Sequence, residues 1–174
     1  MNEATKNKWA GPIGLVRLLI EGWALVGGVV LLGVVLIQTY SVISGIFGRP
    51  LPGDFELTEV GIAVAAFAFL PYCQLTGANV TADIFTSSAG PRTIAILGLF
   101  ASLIALVISL ILAWRMWYGM GDQFTYDYQT AILGFPIGAA YVPIIISLVL
   151  LACASLITLL DDANQLSQPK ISGQ

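Results

Sequence analysis

Side chains able to attack, ligate or move protons are scarce in this chain. Among its 174 residues there is no histidine, two are cysteine and ten are Asp or Glu. Lack of histidine removes bis-histidine haem ligation, His-ligated zinc and most general-base catalysis. Cys73 and Cys153 each sit in an apolar run, in no metal or redox spacing, and read as small buried hydrophobes. Four of the acids flank one apolar stretch. Asp54, Glu56 and Glu59 precede an apolar stretch, where a helix dipole favours negative charge, and Glu56 and Glu59 share a helix face. That cluster is either a solvated cap or a docking surface. Asp83 follows the same stretch with Asn79 at i,i+4. It either caps a short interfacial segment over residues 84–87 or grips a neighbouring subunit. Arg115, between Trp114 and Met116, snorkels to headgroups or pairs with Asp122 or Asp127. No nucleophile–base pair, metal ligand set or cofactor site emerges, so no catalytic, metal or cofactor residue is assigned.

The elements that carry these residues follow from composition. Hydrophobic residues make up 57% and charged residues 10%, with a mean hydropathy of +0.89. A soluble domain carries about 25% charged residues, so most of this surface faces lipid. A net charge of −3, with no Lys/Arg cluster, excludes nucleic acid as a partner. Charges leave four neutral runs, at residues 22–48, 60–82, 93–114 and 128–160. About 20 apolar residues suffice for a helix to cross the hydrocarbon. The runs do not alternate as barrel strands would, so they predict an all-α integral membrane fold. Residues 1–174 are read as one membrane domain, with helices near 22–46, 58–82, 93–117 and 136–160 and an interfacial segment after the second. The first run is too long for a signal-peptide core and reads as an uncleaved helix. Lys6, Lys8, Arg17, Arg92 and Lys170 fall on one side and Arg49 and Arg115 on the other, which predicts cytoplasmic termini.

Small residues suggest how the helices pack. Ala101, Ala105, Ser109 and Ala113 recur every fourth position, Gly61, Ala63, Ala65, Ala66 and Ala68 enrich the second helix, and Gly134 and Gly138 form a GxxxG pair. Pro71 and Pro143 interrupt helices two and four, with either a plain kink or a groove for a partner helix as the consequence. The centres of the four runs hold no Asp, Glu, Lys or Arg. A secondary transporter needs polar groups or broken helices near the midplane. The chain therefore reads as a partner of a transport machine rather than its catalytic core.

Three blocks carry a family resemblance. They are Gly53-Asp54-Phe55-Glu56-Leu57-Thr58-Glu59, Phe67-Ala68-Phe69-Leu70-Pro71 and Gly77-Ala78-Asn79-Val80-Thr81-Ala82-Asp83. Together they resemble the small membrane subunit, DctQ-like, of tripartite ATP-independent periplasmic (TRAP) transporters. Asn79 stands where many members have histidine, and Ala82 where valine is frequent, which argues against a protonation role at position 79. The resemblance implies a bacterial inner-membrane complex with a large multi-helix subunit that carries the sodium and substrate sites and moves as an elevator. It also implies a periplasmic solute-binding protein that delivers an organic acid or similar solute. The small subunit would be a scaffold, with Glu56, Glu59, Gly61, Ala65, Ala68, Pro71, Asn79 and Asp83 as candidate partner-interface residues. Two rivals predict other features. A self-assembling, holin-like pore needs a polar stripe along a helix, and a lipid-modifying membrane enzyme needs an interfacial catalytic constellation; neither is evident.

Overall fold

The computed structural model describes residues 12–49, 51–77 and 91–167. They form helices α1 (Pro12–Ile46), α2 (Asp54–Thr76), α3 (Pro91–Thr125) and α4 (Ile137–Ser167). All four are long and apolar enough to cross a membrane, as the neutral runs predict. The strand-like geometry among the described residues is one isolated bridge between Gln129 and Pro136.

Helix ends depart from the charge-delimited runs for local reasons. α1 starts at Pro12 rather than near residue 22, because Arg17 is not a boundary: it pairs with Asp161 of α4 at 3.2 Å. α1 stops where Gly48 takes φ 72°. There the Gly48 N–H donates to the Gly45 carbonyl (3.0 Å) and the Arg49 N–H to the Ser44 carbonyl (3.1 Å), a Schellman closure. α2 begins at Asp54, so the acids lie within its first turns rather than before it. It ends at Thr76 rather than near 82, since Gly77 adopts φ 66° and its N–H turns back to the Cys73 and Gln74 carbonyls. The expected segment 84–87, with Asn79 and Asp83, lies outside the described residues. α3 continues to Thr125 and α4 to Ser167, past Arg115 and past Asp161 and Asp162. A charge marks the edge of the hydrocarbon, whereas a helix can run on into water.

The helices are arranged as a row. α1 packs on α2, α2 on α4 and α4 on α3, with a lesser contact between α1 and α4. Lipid gives no hydrophobic drive for this packing, so close backbone approach at small residues must supply it. The most deeply buried side chains are accordingly small or hydroxylic: Ala65, Ala68, Pro71, Ser109, Ser147, Ala154 and Ser155, joined by Ile20 and Leu148. A Cβ placed on Gly27 of α1 would come within 2.7 Å of the Ala68 Cβ and 3.4 Å of the Ala65 carbonyl oxygen. One on Gly61 would collide with Val34. These contacts define the α1–α2 seam.

Two packing expectations change. On α3 the buried positions are Ser102 and Ser109, while Ala101 is exposed. Ser109 is the buried member of the four-residue repeat, and Ser102 joins it from outside the repeat, its hydroxyl donating to Asp162 of α4. Gly134 and Gly138 do not make a helical GxxxG pair, because Gly134 lies in the α3–α4 loop at φ 63°. Gly138 is buried against Phe124 instead, with 3.0 Å available to a Cβ.

The seam gives a paired prediction. Gly27→Ala should lower stability by about 1–3 kcal/mol through overpacking against a backbone that cannot yield. Gly28→Ala, with nothing within 4 Å, should raise it by up to about 1 kcal/mol through helix propensity. Thermal unfolding of both variants in one detergent measures the contrast.

Candidate docking interface

At the end of the row where α1 stops and α2 begins, three carboxylates meet three different fates. Asp54 is enclosed by its own neighbourhood. Its Oδ1 accepts the Phe55 N–H at 2.8 Å and its Oδ2 accepts the Ser41 hydroxyl. Its carbonyl accepts the Thr58 hydroxyl at 2.8 Å and the Gln38 amide at 3.4 Å. The same Gln38 amide donates to the Thr58 hydroxyl oxygen. Gln38 and Ser41, the polar residues near the exit of the first run, thus tie α1 to the start of α2.

Glu56 binds a loop. Its Oε1 accepts the Ile132 N–H at 2.8 Å and its Oε2 the Leu133 N–H at 3.0 Å. The loop is shaped to present those two amides. Asp127 ends α3 in the left-handed region at φ 50°, a conformation a short polar side chain tolerates. The Thr130 N–H donates to the Phe135 carbonyl (2.9 Å), the Gly134 N–H to the Thr130 carbonyl (3.1 Å) and the Ile137 N–H to the Tyr128 carbonyl (3.1 Å). The Thr130 hydroxyl accepts the Phe135 N–H at 3.0 Å. A cavity of about 40 Å³ lies beneath, between Glu56, Val60, Leu133 and Phe135, too small for an organic solute. Gly53, at φ 79°, passes so close to Leu133 that any side chain there would strike it.

Glu59 has no such engagement: it is exposed and, among the described residues, makes no hydrogen bond or ion pair. Of the other expected interface residues, Ala65, Ala68 and Pro71 are buried within the chain, and Gly61 faces Val34. The small side of α2 is therefore filled by α1 and α4, which leaves the side bearing Glu59 open. Sequence spacing could not choose between those sides, because small residues occur on both.

The opposite end of the row holds its own polar contacts. Arg17 pairs with Asp161, Ser102 donates to Asp162 at 3.2 Å, and the Gln74 amide donates to Thr158 at 3.1 Å. Asp161 and Asp162 thus hold α1 and α3 to α4 from adjacent positions. Arg115 is exposed, and the ion pair found among the described residues is Arg17–Asp161 rather than one to Asp122 or Asp127. Between the ends, the Trp23 indole N–H donates to the Ser147 hydroxyl at 2.9 Å, which donates in turn to the Pro143 carbonyl at 2.8 Å. Among the described residues no three His, Cys, Asp or Glu side chains converge as a metal site.

The model of the DctQ component of the tripartite ATP-independent periplasmic transporters matches residues 34–165, which span α2, the clamped loop and nearly all of α4. The chain belongs to the DctQ family. No curated protein and no solved structure gives a match. As a DctQ protein it is a multi-pass membrane component of a transporter and not an enzyme. Membership implies a complex with a large membrane subunit and a periplasmic binding protein.

Two predictions follow from the contacts at the two ends. Glu56→Ala removes both acceptors of the loop amides, so Ile132 and Leu133 should exchange their amide hydrogens faster, while amides in the middle of α4 keep wild-type protection. At the other end, Asp161→Arg should cost less than about 1 kcal/mol, because the Asp161 side chain is 44% exposed, whereas Arg17→Asp should cost more, because the Arg17 side chain is only 18% exposed. The charge-swapped double variant should recover most of that loss in a double-mutant cycle.

Proposed function

We propose that this DctQ protein is the scaffold subunit of a sodium-coupled importer of organic acids or similar solutes. In this reading it braces the large transport subunit within the membrane and helps the periplasmic binding protein to dock. The row stands with both termini in the cytoplasm, as its Lys and Arg distribution favours. Glu56 then sits at the periplasmic side and holds the α3–α4 loop in the shape offered to the binding protein. Arg17, Asp161 and Asp162 lie at the cytoplasmic side.

One observation carries the scaffold reading: the hydrogen-bonded polar groups in the described helix interiors are paired within the chain and do not converge on a shared cavity, while the buried Ser155 hydroxyl stands singly, without a partner among the described residues. Trp23 meets Ser147, Gln74 meets Thr158, and the Ser109 hydroxyl bonds back to the Leu106 carbonyl at 2.8 Å. A coupling ion needs several converging oxygens, and a solute needs a chamber near mid-depth. Among the acidic groups of the described helices, Asp54, Glu56, Asp161 and Asp162 are bonded near the helix ends.

Reconstitution tests this. Proteoliposomes with the chain alone should accumulate no solute under a sodium gradient. Adding the large subunit and the binding protein should restore uptake. Uptake by the isolated chain would defeat the scaffold reading.

A further inference from the structure

The open side of α2 has a definite chemical character. Phe55, Glu59, Ile62, Ala66 and Leu70 are exposed and recur every three or four residues, so they form one stripe along the helix. Ala65, Ala68 and Pro71 are covered by the rest of the chain. Beside the stripe, α1 and α2 diverge into an apolar groove of about 510 Å³, lined by Leu31, Val35, Gln38, Val42, Thr58 and Ile62. Ile62 belongs to both stripe and groove, so the two form one continuous surface.

Glu59 is out of place on such a surface if lipid alone covers it. α2 is the shortest of the four described helices, with 23 residues, or about 35 Å at 1.5 Å per residue, against about 30 Å of hydrocarbon. It has only about 5 Å to spare, so Glu59, about 7 Å along the helix from its start, falls just inside the hydrocarbon. Asp54 and Glu56, closer to the helix start and to water, have both acquired internal partners. The deeper carboxylate is the one without a bond among the described residues. Ionisable groups at such depth face a protein partner or an aqueous cavity. Ala66, two turns further in, is small enough to let another helix backbone come close.

We propose that the groove between α1 and α2, with the Glu59 stripe, seats a transmembrane helix of the large subunit, and that this helix carries an Arg or Lys opposite Glu59. The proposal rests on the family-based reading that a large subunit is present, and adds to it the contact face and the charge of the partner.

The test co-expresses the full chain with its large subunit and measures capture of that subunit in mild detergent. Glu59→Lys should reduce capture by about tenfold or more, and Glu59→Gln by less. Reversing one membrane-embedded Arg or Lys of the large subunit to Glu should restore capture by the Glu59→Lys chain. The isolated Glu59→Lys chain should melt close to the wild-type temperature, since Glu59 is exposed and makes no hydrogen bond or ion pair with a described residue, which separates lost docking from lost folding. Wild-type capture by Glu59→Lys would overturn the proposal while leaving the family-based complex intact. So would a loss that no charge reversal repairs, or one governed by phosphatidylethanolamine content in nanodiscs, which would assign Glu59 to a lipid amine. Failure of the wild-type chain itself to capture the large subunit would remove the underlying reading, and the proposal with it.

Discussion

The meeting of Gly27 with Ala68 and the Ala65 carbonyl sets the geometry on which the rest of this molecule depends. Lipid offers these helices no reason to associate through apolarity alone, so contact must come from backbones brought close together. Once α1 lies tight on α2, Gln38 and Ser41 fall within reach of Asp54 and Thr58. α2 in turn presents Ala65, Ala68 and Pro71 as a smooth inner side, and α4 packs against the same helix. The hydroxyls of Ser147 and Ser155 are buried on α4 without the bulk that would force the helices apart.

Polar chemistry in this DctQ protein is directed inward and towards the two ends of the row. Near one end a glutamate holds the amides of a distant loop, and near the other adjacent aspartates secure two helices to a third. In a medium without water, a buried hydrogen bond left unmade is costly. The bonds made at both ends resist shear of the helices past one another. Rigidity of this kind suits a part that remains still while another moves, and it suits poorly a part that must open and close around cargo.

Much of the architecture was legible from charge placement, because a neutral run of sufficient length has few alternatives to a membrane helix. The ends were less legible. Arg17 was read as lying outside the first helix, yet it lies within α1, and its partner Asp161 is distant in sequence. Gly77 ended α2 inside a neutral run that continued past it, through a left-handed backbone that hydropathy does not register. The acidic cluster is visible in the sequence, but its division of labour is not. Nothing near Glu56 in sequence marks Ile132 and Leu133 as its partners, since the bond is to backbone amides that carry no side-chain signal. The small residues of α2 were correctly seen as a packing surface, while the side that stays inside the chain depended on Gly27 and Val34 of another helix.

The order of helices in the row also bears on how the molecule is made. α3 emerges from the ribosome before α4, yet its packed face is against α4 and not against the earlier pair. Until translation ends, the nascent chain therefore holds a finished α1–α2 hairpin and a solitary third segment in the bilayer. α4 arrives last and must enter between α2 and α3, bringing Asp161 and Asp162 to anchors already waiting on α1 and α3. Until then the Ser102 hydroxyl lacks the Asp162 carboxylate it meets in the finished chain, whereas the Ser109 hydroxyl is already bonded to the Leu106 carbonyl of its own helix.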